Sequence, residues 1–189
     1  AWARAVPSGA GAQAGTNDPT ATGTSSQATA AFATATGAQS TASGAGGTAT
    51  GALSSAGGAS ATANGFFSVA SGEDSSTFGA ESLASGQEGT AIGADAQATG
   101  QFSTALGSGS HATSLSATAI GRGSIASNIV STAVGTSSEA TGSDSTAIGA
   151  AASATANYAT ALGNSADATG LRSTAAGFGA DASGRNSMA

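Results

Sequence analysis

Alanine returns along this chain every seven residues, flanked by β-branched, hydroxylated or other small residues. The pattern is clearest at Thr90-Ala91-Ile92-Gly93-Ala94-Asp95-Ala96-Gln97-Ala98-Thr99-Gly100-Gln101-Phe102-Ser103. It restarts without insertion at Thr104, Thr118, Thr132, Thr146, Thr160 and Thr174, and in the other direction at Ser76, Thr62, Thr48, Thr34, Thr20 and Val6. Thirteen units of fourteen residues therefore run from Val6 to Ser187, and a fixed period of this kind decides the architecture. Numbering each unit 1 to 14, position 4 is Gly and position 9 is Ala in all thirteen. Position 2 is Ala except at Pro7 and Thr77, and position 11 is Gly in eight units. Each unit is two similar halves, a short strand followed by a glycine corner, which predicts an all-β fold, a flattened β-solenoid. Coils stacked at roughly 4.8 Å would make a rod on the order of 60 Å long.

Side chains alternate along a strand, so position 2 points to one side and positions 1 and 3 to the other. Ala at positions 2 and 9 predicts a thin, Ala-lined interior in which a larger residue costs ~1–3 kcal/mol of overpacking. Position 3 reads Phe78, Ile92, Leu106, Ile120, Val134, Ile148 and Leu162, then Ala176, beside a Thr ladder at position 1. Its counterpart, position 10, is Ser or Thr in those units, from Ser85 to Ser183. An interior of little beyond Ala buries too little to offset the entropy of ordering the chain, and a straight apolar row implies a partner. The economical partner is a second copy of the same chain.

The expected organisation is a leader or expression remnant at residues 1–5 and one repetitive domain at residues 6–189. Its units 6–75 are divergent: position 3 there is Ser8, Thr22, Thr36, Thr50 and Asn64, a polar seam. Units 76–189 are regular, and Phe66, Phe67, Val69 and Leu83 near the changeover suggest a local rearrangement.

Abundant Ala, Gly, Ser and Thr would suit a disordered segment, but a linker has no need to hold Gly in one phase through thirteen units. Cysteine is absent, which removes disulfides and thiolate metal sites. The net charge is −6, with no Lys and four Arg, which disfavours nucleic acid or an anionic membrane as partner. No apolar run approaches the ~20 residues of a membrane span, and no charged segment followed by an apolar stretch opens the chain as a signal peptide would. Export and membrane anchoring are expected to reside in parts outside this sequence.

Catalytic chemistry fails at inventory. The single His111 occupies variable position 8, so a Ser-His-Asp triad has one imidazole to use, and a solvated side chain is the simpler reading. Gly121-Arg122-Gly123-Ser124-Ile125-Ala126 imitates a dinucleotide fingerprint, yet Gly121 already follows from the period and no helix is predicted after it. Acids are scattered over positions 6, 8 and 13 (Asp95; Glu139, Asp167 and Asp181; Asp144), without the repeat of a calcium solenoid. The chain is read as having no enzymatic activity, cofactor or metal. Position 13 varies most in character, through Phe102, Ser116, Val130, Asp144, Tyr158, Arg172 and Asn186. His111, Tyr158 and Arg172 are the candidate ligand-surface residues, and an Arg172–Asp144 contact would be a surface ion pair worth ~0–1 kcal/mol.

The units Ser131-Thr132-Ala133-Val134-Gly135 and Ser145-Thr146-Ala147-Ile148-Gly149 resemble the head repeats of trimeric autotransporter adhesins, the YadA-like surface proteins of Gram-negative bacteria. The likeness is strong from Ser76 onward and weaker upstream. It implies a left-handed parallel β-roll assembled as a homotrimer, with Phe78, Ile92, Leu106, Ile120, Val134, Ile148 and Leu162 at the trimer core. It also implies display on the bacterial cell surface, attachment to host extracellular matrix or cells, and autoaggregation of like heads. Three-fold symmetry comes from the resemblance; the residues alone demand a partner. Two alternatives stand beside the adhesin: a structural spacer rod in a surface fibre, and an ice-binding solenoid whose Thr array orders water.

Overall fold

The repeat Thr-Ala-Ile-Gly alternates a small inward residue with larger outward ones and then supplies a residue free of Cβ, which is what a short strand ending in a tight turn needs. A computed structural model describes residues 6–189; the leader expected at residues 1–5 lies outside them. Each unit folds as one coil: a three-residue strand at positions 1–3, a first turn, a two-residue strand at positions 8–9 and a second turn. The fold is an all-β parallel solenoid of about thirteen coils, without a helix among the described residues.

The coils fall into two compact units, Ala1–Asp95 and Ala96–Ala189. In the first, three-residue strands from Val6–Ser8 to Thr90–Ile92 pair in parallel, each residue opposite the one fourteen further on, as in Thr34↔Thr48 and Thr36↔Thr50. Two-residue strands from Gln13–Ala14 to Leu83–Ala84 form its other sheet. The register passes unbroken through the changeover, with Asn64 paired to Thr50 and Phe78. Phe66 and Phe67 cause no rearrangement there; they extend from a first turn, their rings 5.6 Å apart. In the second unit, Thr104–Leu106 to Thr174–Ala176 and Gln97–Ala98 to Asp181–Ala182 build the same two sheets.

From the second coil onward Ala at positions 2 and 9 is fully buried, as in Ala91, Ala98, Ala119 and Ala133, while Ala14 in the first coil is half-buried. The interior is less purely Ala-lined than expected, because positions 7 and 14 also point inward. Ser26, Ser40, Ser54, Ser68 and Ser82 are buried at position 7, and Ser75, Ser103, Ser131 and Ser145 at position 14. Each hydroxyl donates to the carbonyl three residues back, as Ser138 Oγ does to Gly135 O at 2.9 Å and Ser145 Oγ to Gly142 O at 2.7 Å. The same carbonyls accept the N–H that closes the turn, Ser138 N to Gly135 O at 3.3 Å. These hydroxyls find a partner along their own turn, which lets Ser and Ala exchange there, while Ser173 Oγ at position 14 is buried without one.

Position 4 has two reasons to be Gly. At Gly107 φ is 134°, a backbone region that is essentially glycine's own, and a Cβ would stand 2.6 Å from the carbonyl of Gly121 in the next coil. Positions 6 and 13 are left-handed as well, and non-Gly residues hold them: Asp95 at φ 57°, Val130 at 53°, Tyr158 at 59° and Arg172 at 56°. Such a conformation is unusual for a β-branched residue and persists where the surrounding hydrogen bonds over-determine it. Here Val130 N donates to Leu115 O at 2.9 Å, one coil below.

Candidate functional site

A solenoid coil of this kind has four outward surfaces: the two sheet faces and the rims formed by its two turns. On the three-residue strands the fully buried Ala at position 2 forces positions 1 and 3 outward. In the second unit Leu106, Ile148 and Leu162 are each at least 40 % exposed, and Ile120 and Val134 on the same row are half-buried. In the first unit Phe78 and Ile92 are also exposed, while Thr22, Thr36 and Asn64 hold the row upstream. The Thr at position 1 lies half-buried beside this row throughout. A sheet edge-to-edge ladder explains the straightness of the row: Leu106 pairs with Ile120, Ile120 with Val134, Val134 with Ile148 and Ile148 with Leu162.

His111 lies on the other sheet face, half-buried on the strand His111–Ala112, with Gln97 and Ile125 as its register neighbours. Tyr158 and Arg172 occupy the second-turn rim one coil apart, both exposed. The Arg172 guanidinium carbon stands 5.6 Å from the Tyr158 ring centroid, a cation–π contact worth about 0.5–1 kcal/mol at an exposed site. Arg172 therefore has a ring as its partner, and Asp144 accepts instead from Ser143 Oγ at 3.0 Å. The structure brings Tyr158 and Arg172 together and leaves His111 on a different surface. On the His111 face, Asp167 pairs in register with Asp181, and Asp167 Oδ1 is buried without a hydrogen-bond partner. Among the described residues no three His, Cys, Asp or Glu side chains converge as a metal centre would need.

The second-turn rim of the second unit is also more apolar than a survey of position 13 alone reveals. Position 12 contributes Leu115, Ile129 and Leu171, all exposed, beside Phe102 and Val130 at position 13. The recurrence of Leu115 and Ile129 fourteen residues apart was the available sequence signal for this ridge. Taken together the described surfaces offer apolar rows, hydroxyl rows and one aromatic–guanidinium stack.

The YadA head domain repeat matches this chain at residues 84–110, 140–166 and 168–189. A crystal structure of the collagen-binding domain of the Yersinia adhesin YadA aligns with 90 % of the chain at 25 % identity and a TM-score of 0.29. The chain spans 64 % of the length of that structure. No curated protein matches it. The matched stretches thus carry YadA head repeats within a run of fourteen-residue coils of one kind.

Proposed function

We propose that this chain is the head of a bacterial surface adhesin and works as a homotrimer. The observation that carries the reading is the apolar row of the second unit, Leu106, Ile120, Val134, Ile148 and Leu162, one outward residue per coil in unbroken register. Exposed rows of that length mark interaction surfaces, and identical rows on identical chains bury one another around a common axis. Phe78 and Ile92 of the first unit take the same role. The matched YadA head repeats support an adhesin role, and the solved YadA domain is by its description collagen-binding.

With the apolar row inside the trimer, the hydroxylated face and the second-turn rim with Tyr158 and Arg172 stay outward. Three chains of near-identical coils then offer many weak sites to extracellular matrix or to like heads on other cells, and avidity exceeds any one contact. No helix of the described residues is long and apolar enough to cross a membrane. The test is a binding screen of the purified domain against collagen and other matrix proteins, with an aggregation assay of cells displaying it. Binding or clumping is expected; a folded trimer inert in both assays would leave the domain as a spacer.

A further inference from the structure

Between residues 6 and 95 the chain carries six acids, Asp18, Glu73, Asp74, Glu81, Glu88 and Asp95, and no Arg, Lys or His. Two of them, Glu81 and Asp95, stand on the first-turn rim directly beyond a pair of exposed rings. The position 6 column there reads Leu53, Phe67, Glu81 and Asp95, one residue per coil, and all four share a left-handed backbone at φ 57–60°. Each is tied to the coil before it, as Phe67 N donates to Ala52 O at 3.1 Å, Glu81 N to Phe66 O at 2.8 Å and Asp95 N to Ala80 O at 3.0 Å. Their side chains therefore leave the rim alike, stacked at roughly 4.8 Å. In the neighbouring column, position 5, Phe66 stands between Ala52 and Ala80, so neither adjoining coil sets a bulky side chain beside its ring. Phe66 and Phe67 are 52 % and 51 % exposed, with centroids 5.6 Å apart and planes tilted by 60°.

An open aromatic pair that ends at two carboxylates suits a cation carried on an apolar stem. A guanidinium can lie against a ring face while it pairs with the carboxylate one coil further on, and the methylenes of its side chain cover Phe67 and Leu53. Charge complementarity chooses the occupant. An anionic lipid surface or an acidic protein is repelled by acids that no base of this unit offsets. A second copy of the chain in the same register brings no cation to this height either, because its own residues 6–95 hold none. The seam of the proposed trimer runs along position 3, a different column from the rings and carboxylates.

We propose that the first-turn rim at Phe66, Phe67, Glu81 and Asp95 is a docking surface for an arginine-rich segment of another protein. The proposal rests on the adhesin reading and deepens it, naming the chemistry of one partner and the coils that meet it. The hydrogen-bonded column presents rings and carboxylates already in place, so little ordering on this side opposes binding.

The probe is a fluorescently labelled peptide of alternating arginine and alanine, titrated with the full chain and followed by anisotropy. Saturable binding that weakens with added salt is expected. Phe66→Ala together with Phe67→Ala keeps every charge and should weaken binding roughly tenfold. Glu81→Gln should weaken it roughly two- to fivefold. Glu139→Gln removes the same charge from an exposed position of the second unit and should leave the affinity as it was. Equal loss from Glu139→Gln and Glu81→Gln, or no loss from the paired Phe change, would mean attraction to net charge alone and overturn the proposal. No binding of the peptide would overturn it too, and if the same domain still bound collagen the adhesin reading would stand. Circular dichroism on each variant separates loss of the surface from loss of the fold.

Discussion

The two units share one coil and differ in what the coil shows to the outside. Thr34-Ala35-Thr36 in the first unit and Thr118-Ala119-Ile120 in the second are strands of the same length and register, with the central Ala fully buried in both. At position 3 the first presents a hydroxyl and the second an isobutyl-sized apolar group. The coil is therefore fixed by the positions that turn inward or turn the chain, namely 2, 4, 7, 9 and 14. Position 3 is released from that duty and is available to specify assembly. In the proposed trimer, fold and association are written in separate columns of the same repeat.

The largest expected effect breaks the comparison at that column. Ile120→Asp puts a carboxylate into the proposed apolar seam, where an unpaired buried charge costs about 3–5 kcal/mol per chain. It should dissociate or unfold the assembly. Thr36→Asp, the equivalent change among hydroxyl neighbours, should leave the assembly intact, and thermal melts with light scattering on both variants check the pair. Equal damage from the two would mean that position 3 serves one role throughout.

A second pair separates backbone conformation from the approach of coils. Gly107 and Gly177 have nearly the same φ, 134° and 136°, but a Cβ at Gly177 would meet nothing within 4 Å. Gly177→Ala should cost the conformational strain alone, about 1–3 kcal/mol. Gly107→Ala should add an overpacking cost of about 1–3 kcal/mol more, read as a lower melting temperature. The smallest effect tests the interior that both units share. Ser54→Ala and Ser138→Ala each remove a hydrogen bond to a glycine carbonyl that keeps its backbone donor, so each should cost at most about 1 kcal/mol in denaturant titration. Ala96, Ala152 and Ala166 already stand at this position in the second unit.

Much of this was legible in the residues. Ala91 and Ala98 could be placed inside because nothing larger recurs there, and Gly93 at a corner because no other residue ever replaces it. The buried Ser at positions 7 and 14 escaped, since a hydroxyl in a turn reads as solvated until its bond to the carbonyl three residues back is seen. Left-handed backbone at Val130, Tyr158 and Arg172 escaped for a related reason: the signal for it is Gly or Asn, and coil-to-coil hydrogen bonds hold these bulky residues there instead. The stack of Arg172 on Tyr158 was half visible, because residues fourteen apart are neighbours, but the choice of a ring over Asp144 needed coordinates. The cluster at Phe66, Phe67, Val69 and Leu83 read as a break because large residues are rare here; on outward positions they disturb nothing.

The central claim is that the apolar row of the second unit is a seam between copies of this chain. Multi-angle light scattering on the unsubstituted domain tests it most directly. The account predicts a single species at three times the 17.1 kDa chain mass, stable on dilution. A folded species at the mass of one chain, with Ile120 and Ile148 open to solvent, would contradict it.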